Sequence, residues 1–468
     1  MAWAGRRAAS WALAQAPHTQ RIWVAAGPGG NGGDGLHAAA HLARMGRQVA
    51  ITLHAGDRNL NPDTQTALQQ ALGAGCRLVD HPGRGWADLV IDALLGLGAN
   101  RPLGPGMAAA VRLINEQPCP RLSIDIPTGL NADTGQPLGG GLIQALATLS
   151  LLTLKPGLLM GSGRDAAGRV WLDRLADRPA GTNSDPVART VRSPPTPRVG
   201  SVRPHASHKG RFGDVVLVGG AAGMAGALRL AAHAALAAGA GRVTAAALDP
   251  ALPLYDESRP ECMWRRPEDL PQFPLEQTTV VCGCGGAEAV SQWLPLLLQR
   301  SWRLVLDADA LNAVARRPVL AEALRNRHDQ GRTTVLTPHP LEAARLLDCT
   351  AQDIQADRLR AARHLSSQYA ATVLLKGSGT VIVTPGLLPE VNVTGNAALA
   401  TGGTGDVLAG WLAGRWASEA PQDANESVQA HRTTCDAACI HGLAADHHGA
   451  RNALRASDLV ELMGRLVT

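Results

Sequence analysis

Phenylalanine and tyrosine are nearly missing from this chain, with two of each among 468 residues. Lysine is almost as scarce: of 44 basic residues only Lys155, Lys209 and Lys376 are lysines. No basic stripe with interleaved aromatics exists, which argues against a nucleic-acid partner. The net charge of +5 is small for this length and calls for no polyanion. Eight cysteines are too sparse for a disulfide framework, and no C-x-x-C pair occurs. Cys282-x-Cys284 and Cys435-x3-Cys439 lack zinc spacing and read as buried thiols, in keeping with a cytoplasmic protein. The longest apolar run, Leu142 to Leu154, is interrupted by Gln144, Thr148, Ser150 and Thr153. It is too short and too polar to span a bilayer, so no membrane partner is expected. The start of the chain lacks the Leu-rich core of a signal peptide and reads as an amphipathic helix.

What is present is globular. Hydrophobic residues make up 45% and charged residues 18%, which excludes general disorder. Gly 52 and Pro 30 carry no triplet period, which excludes collagen. Where arginine supplies almost every positive charge, a retained lysine marks a place that needs a compact ammonium. Codon bias is the competing explanation, but all three lysines lie in glycine-rich motifs.

Residues 177–204 are rich in Pro, Arg and Ser without apolar periodicity and read as a linker between domains at 1–176 and 205–468. On both sides, apolar runs such as Arg21–Ala26, Gln48–His54, Val215–Gly219 and Thr279–Cys282 alternate with Ala-rich helical windows. That alternation predicts two α/β domains with mainly parallel sheets, whose ligands bind beyond the carboxyl ends of the strands.

The motifs lie at those ends. Gly27-Pro28-Gly29-Gly30-Asn31-Gly32-Gly33-Asp34-Gly35 follows the first strand and opens a helix, where amides and the helix dipole suit a phosphate. It matches G-x-G-x-x-G only formally; the next strand ends His54-Ala55-Gly56, without the acid of a plain NAD-dependent oxidoreductase. A tight strand–helix turn is the alternative. Asp92 precedes a Gly96–Pro102 loop, and Asp125 lies in Ser123-Ile124-Asp125-Ile126-Pro127-Thr128. With Asn31 and Thr128, these carboxylates offer oxygen ligands to a hard cation, or serve as helix caps.

This set resembles the NAD(P)H-hydrate epimerases over roughly Met1 to Leu172. The resemblance implies a Rossmann-like three-layer αβα domain and a K⁺ site at Asn31, Asp92 and Thr128. It implies hydrate contacts from Gly30, Asn31, Gly32, Gly33 and Asp34, and from Gly96, Leu97, Gly98, Ala99, Asn100, Arg101 and Pro102. Asp125 is implied as the substrate-contacting acid–base residue. Lys155-Pro156-Gly157 matches a further family motif. Met1 falls near the end of that family's N-terminal helical extension, so the extension is expected to be missing.

In the second half, His208-Lys209-Gly210 precedes a strand that runs into Gly223-Met224-Ala225-Gly226-Ala227. Thr337-Pro338-His339-Pro340-Leu341-Glu342 ends another strand, with His339 either facing a cleft or satisfied in the core. Lys376-Gly377-Ser378-Gly379-Thr380 joins two strands and offers amides, a hydroxyl and an ammonium to a nucleotide. Asp307 and Asp309 suit water-mediated Mg²⁺. Thr401-Gly402-Gly403-Thr404-Gly405-Asp406 runs a small-residue loop into a helix with a carboxylate in its first turn. The loop can hold a transferring phosphoryl group while Asp406 takes a proton from an attacking hydroxyl.

From His205 to the end, this ordered set resembles the ADP-dependent NAD(P)H-hydrate dehydratases, a branch of the ribokinase-like α/β fold. The resemblance implies that Ala227, Gly285, His339 and Asp406 contact the hydrate. It implies that Lys376, Gly377, Ser378, Gly379, Thr380 and Gly405 contact the nucleotide, with Mg²⁺ as cofactor and ADP as co-substrate. The expected activity is repair of NAD(P)H hydrates by epimerisation and dehydration, in a homo-oligomer. The alternative is a ribokinase-like small-molecule kinase with a non-catalytic N-terminal binding domain.

Overall fold

Short apolar runs become parallel strands in both halves of the computed structural model, which describes residues 1–56, 59–175, 185–194, 203, 205–419 and 426–467. The chain divides into two α/β units, Met1–Asp185 and Pro186–Thr468.

The first unit carries β1 (Arg21–Ala26), β2 (Gln48–Leu53), β3 (Arg77–Leu78), β4 (Leu89–Ala93), β5 (Arg121–Ile124), β6 (Ala147–Leu151) and β7 (Arg169–Asp173). They form one parallel sheet in the order β3-β2-β1-β4-β5-β6-β7. The strand order reverses between β1 and β4, which opens a crevice beyond their carboxyl ends. β4 and β6 are buried along their whole length, as expected for a sheet covered on both faces. The interrupted apolar run at 142–154 contains β6; its Thr148 hydroxyl is satisfied by the carbonyl of Ala167. The expected amphipathic helix spans Ala2–Gln15 and buries Ala4, Ala8, Ala9 and Ala12. It lies so close to the helix Gly30–Arg44 that a Cβ on Gly5 would fall 2.3 Å from His37 Cβ.

The second unit carries β8 (Arg189–Val191), β9 (Asp214–Gly219), β10 (Arg242–Ala247), β11 (Met263–Arg265), β12 (Thr279–Cys282), β13 (Arg303–Leu306), β14 (Thr333–Leu336), β15 (Thr372–Leu375), β16 (Thr380–Val383) and β17 (Glu390–Asn392). Their order is β11-β10-β9-β12-β13-β14-β15-β16-β17-β8. All pairs are parallel except β15–β16 and β16–β17. The order reverses between β9 and β12, so a second crevice lies there. Two Ala-rich helices, Ala225–Ala237 and Thr404–Ala417, pack backbone to backbone. A Cβ on Gly410 would fall 2.0 Å from the Ala231 carbonyl oxygen, and one on Gly414 would fall 2.3 Å from that of Ala235.

Inside the 177–204 segment read as linker, Arg189–Val191 is an edge strand paired with β17. Three residues held by backbone pairing leave no apolar pattern to read. Most of the rest of that segment lies outside the described residues. Among the described residues no helix is long and apolar enough to cross a membrane.

Two candidate active sites

The first site is a cavity of about 880 Å³ at the β1–β4 crevice. Gly30, Asn31 and Asp34 from the start of the helix Gly30–Arg44 line it, with every residue of Gly96–Pro102 and with Asp125 beyond β5. Gly32 and Gly33 do not. A Cβ on Gly32 would fall 1.9 Å from the Gly27 carbonyl oxygen, and one on Gly33 would fall 3.0 Å from Thr64 Oγ1. Part of the glycine density therefore serves close backbone packing, the role of a tight strand–helix turn.

Asp92, the last residue but one of β4, is fully buried. It accepts four hydrogen bonds, all from neutral donors: Thr128 N–H at 2.9 Å, Thr128 Oγ1 at 2.7 Å, Ser123 Oγ at 2.9 Å and Leu94 N–H at 3.2 Å. Burial pushes its carboxyl above the usual range, and those bonds oppose the shift. Asn31 and Thr128 meet at Leu95: the Asn31 amide donates to its carbonyl at 2.9 Å, and Thr128 Oγ1 accepts from its N–H at 3.1 Å. Asn31 Oδ1 stays buried without a hydrogen-bond partner. Asn31, Asp92 and Thr128 are thus brought together.

Asp125 takes φ +69°, a left-handed conformation that a non-glycine residue holds only under constraint. Its N–H donates to Leu149 at 2.7 Å. Its Oδ1 is ion-paired to Lys155 Nζ, which also donates to the Leu151 carbonyl at 2.7 Å and to Ser150 Oγ at 3.2 Å. Lys155 was not among the predicted site residues. Its signal was its rarity as one of three lysines. Burial pushes the Asp34 carboxyl up to about 7, and the Asp125 charge adds to the shift. The site thus holds one cation-paired carboxylate beside one that titrates near neutrality.

The second site gathers at the β9–β12 crevice. Gly285, at φ +58°, follows β12, and a Cβ there would fall 3.0 Å from Ala227 Cβ and 2.8 Å from the Met224 carbonyl oxygen. Only glycine lets these two loops touch. Next to it, Cys284 Sγ, an Asp307 oxygen and an Asp406 oxygen lie within 4.8 Å of one another. Asp307 follows β13 and pairs with Lys376 Nζ at 2.6 Å; it also accepts from Thr337 Oγ1 at 2.7 Å. Burial works against the Lys376 charge, but Asp307 and Glu342 outweigh it and hold its pKa above the ordinary value. A Cβ on Gly405 would fall 3.2 Å from Lys376 Nζ, so the lysine faces the loop that carries Asp406.

Asp406 sits in the first turn of the helix Thr404–Ala417. Burial pushes its carboxyl up to about 6, and the Asp307 charge adds to the shift. That helix start leaves amides without intrahelical acceptors beside the carboxylate. His441 steadies it from behind: buried and pushed down to about 4 by burial, its neutral ring lies 3.0 Å from the Thr404 carbonyl oxygen through Nε2. Arg358 orders the Lys376–Thr380 loop, donating to the carbonyls of Leu375 and Lys376 at 3.1 Å each. A Cβ on Gly377, at φ +138°, would fall 3.0 Å from that guanidinium. Thr380 Oγ1 donates to the Gly377 carbonyl at 3.2 Å, closing the loop on itself. His339 caps the helix Pro340–Leu347: its Nδ1 accepts from Leu341 N–H and Glu342 N–H, and its ring is half exposed. Asp309 accepts from Ala287 N–H at 2.8 Å. Cys284, His441 and Arg358 carried no sequence signal, since each acts through a partner distant in the chain.

Both crevices therefore place a paired carboxylate and a protonatable one beside small-residue loops. Residues 215–465 match the NAD(P)H-hydrate dehydratase family. Residues 1–157 match the family described as YjeF-related protein N-terminus. A bifunctional NAD(P)H-hydrate repair enzyme of Leishmania braziliensis is 36% identical, over 94% of this chain and 84% of its own. One from Escherichia coli K12 is 34% identical, over 96% of this chain and 86% of its own. Among solved structures, an ADP/ATP-dependent NAD(P)H-hydrate dehydratase of Bacillus subtilis, co-crystallised with ATP and Mg²⁺, is 28% identical with a TM-score of 0.48. It covers 57% of this chain and 92% of its own. The chain belongs to the bifunctional NAD(P)H-hydrate repair enzymes.

Proposed function

We propose that residues 1–176 interconvert the R and S hydrates of NAD(P)H, and that residues 205–468 dehydrate the S form with ADP, giving NAD(P)H, AMP and phosphate. In the first domain the Asp125–Lys155 pair is the acid–base centre, facing substrate held by Asn31, Asp34 and the Gly96–Pro102 loop. The orphaned Asn31 Oδ1 and an Asp92 that meets only neutral donors fit a bound potassium ion. Asn31, Asp92 and Thr128 would hold it. When bound it supplies the positive charge that Asp92 lacks.

Dehydration needs an activated leaving group, because hydroxide departs poorly. The ring hydroxyl of the hydrate attacks the terminal phosphorus of ADP while Asp406 accepts its proton, and AMP leaves. The ring nitrogen lone pair then expels phosphate as the C–O bond breaks, and loss of a ring proton restores the double bond. Amides of Gly402–Gly405 hold the phosphoryl group, and Lys376–Thr380 clamp the nucleotide. Asp307 and Asp309 would reach Mg²⁺ through water, and the ion when bound would offset phosphate charge. One observation carries this reading: Asp406, raised to about 6, stands at a helix start beside Cys284 and Asp307. A carboxyl near 6 is ionised at neutral pH yet basic enough to take a proton.

The test incubates the protein with mixed R and S hydrates and ADP, following the absorbance of reduced nicotinamide. Full conversion with release of AMP and phosphate is expected. A stable phosphorylated product would make this chain a small-molecule kinase instead. A halt when the S form runs out, beyond slow spontaneous epimerisation, would remove the epimerase reading.

A further inference from the structure

We propose that Glu390, His431 and Cys435 bind one zinc ion at the end of the second sheet opposite the nucleotide loop. His431 and Cys435 lie one turn apart on the helix Glu426–His448 and share a face. Glu390 opens β17 and pairs with Ile382 of β16. The three donor atoms lie within 4.8 Å of one another, with Cys435 Sγ 3.8 Å and Glu390 Oε1 3.7 Å from His431 Nε2. A tetrahedral zinc ion with ordinary Zn–S and Zn–N lengths holds its ligand atoms roughly 3.3–3.6 Å apart, so the two pairs that share His431 Nε2 need contract only by about a few tenths of an ångström.

The support around these residues is that of a metal site. His431 Nδ1 is 3.0 Å from Thr384 Oγ1, which lies 2.8 Å from Thr372 Oγ1. This anchors the ring by one nitrogen and leaves the other facing the carboxylate and the sulfur. Cys435 is 1% exposed and the Glu390 side chain 21%, which leaves an approach for the ion and a place for a water ligand. Binding displaces one proton, from the cysteine S–H as the Zn–S bond forms. The bound site is then neutral, two positive charges against one thiolate and one carboxylate, which suits its burial. Sulfur and imidazole donors disfavour Mg²⁺ here.

The location is separate from catalysis. Asp307, Thr337 and Lys376 follow the carboxyl ends of β13, β14 and β15, whereas β16 runs the other way and brings Thr384 to their amino ends. The spacing of Cys435 and Cys439 concealed the site, because its partners are a histidine four residues earlier and a glutamate on a strand.

The test strips the full-length, nucleotide-free protein with a chelator and titrates it with Co²⁺, then Zn²⁺. One equivalent of cobalt is expected to give a sulfur-to-cobalt charge-transfer band with tetrahedral visible absorption, both bleached by zinc. Cys435→Ser abolishes the charge-transfer band and Cys284→Ser retains it. Thr384→Val keeps the band but weakens metal affinity about 10–100-fold. Absence of the band in the wild type, or its loss in Cys284→Ser with retention in Cys435→Ser, overturns the proposal. Should Cys435→Ser fail to fold by circular dichroism, Glu390→Gln decides: about tenfold weaker binding supports the site, and unchanged affinity overturns it.

Discussion

The two crevices solve the same electrostatic problem by different means. Each holds one aspartate paired with a rare lysine, Asp125 with Lys155 and Asp307 with Lys376. Each also holds a second aspartate raised by burial, Asp34 to about 7 and Asp406 to about 6. In the first unit the remaining buried acid, Asp92, rests in a cage of hydroxyls and amides. In the second, charges answer charges, with Lys376 facing Asp307, Glu342 and Asp406 together. Environments that drive neighbouring carboxylates apart in pKa are how one chain holds both a fixed charge and a proton acceptor at one pH. Two of the three lysines, Lys155 and Lys376, put their compact ammonium beside a shielded carboxylate, whereas Lys209 is exposed.

The sharpest way to break the comparison is Asp406→Ala. Dehydration of S-hydrate should fall about a thousandfold while equilibrium binding of the hydrate is preserved; unchanged turnover would end the role given to that carboxylate. Next is Lys155→Met, which should lower epimerisation about a hundredfold and leave turnover of pure S-hydrate as it was. Equal losses in both reactions would mean the two sites are not separable in this way. The smallest effect is in pH. Because Asp406 must be ionised to accept a proton and titrates near 6, kcat/KM for dehydration should drop about tenfold per pH unit below that point and level off above it. A profile flat from pH 5 to 7 would assign the proton to another group.

Much of this was legible in the sequence. Buried parallel strands reveal themselves as apolar runs, so Arg21–Ala26 and Thr279–Cys282 were read with the ends they have. Asp406, Lys376 and Asp125 were legible as candidates because charged side chains stand there beside small-residue or strand-end segments. The pairing of Asp125 with Lys155 was not, since the twenty-nine intervening positions carry no pattern that links them. Nor was the support given by Arg358 and His441, each of which sits on a helix face like any buried residue and acts through backbone carbonyls. The strand at Arg189–Val191 escaped because its place is set by hydrogen bonds rather than by side chains.

The contact of Gly410 and Gly414 with the carbonyls of Ala231 and Ala235 has a mechanical consequence. With no side chain between them at these two contacts, the helix that begins beside Asp406 and the helix that begins beside Ala227 have no soft layer there in which to slip. Asp406 and Ala227 are thus bolted to one rigid pair of rods. Any clamping down on substrate must be done by the loops around that pair, and a single methyl group at either glycine should jam the assembly while sparing every reactive atom.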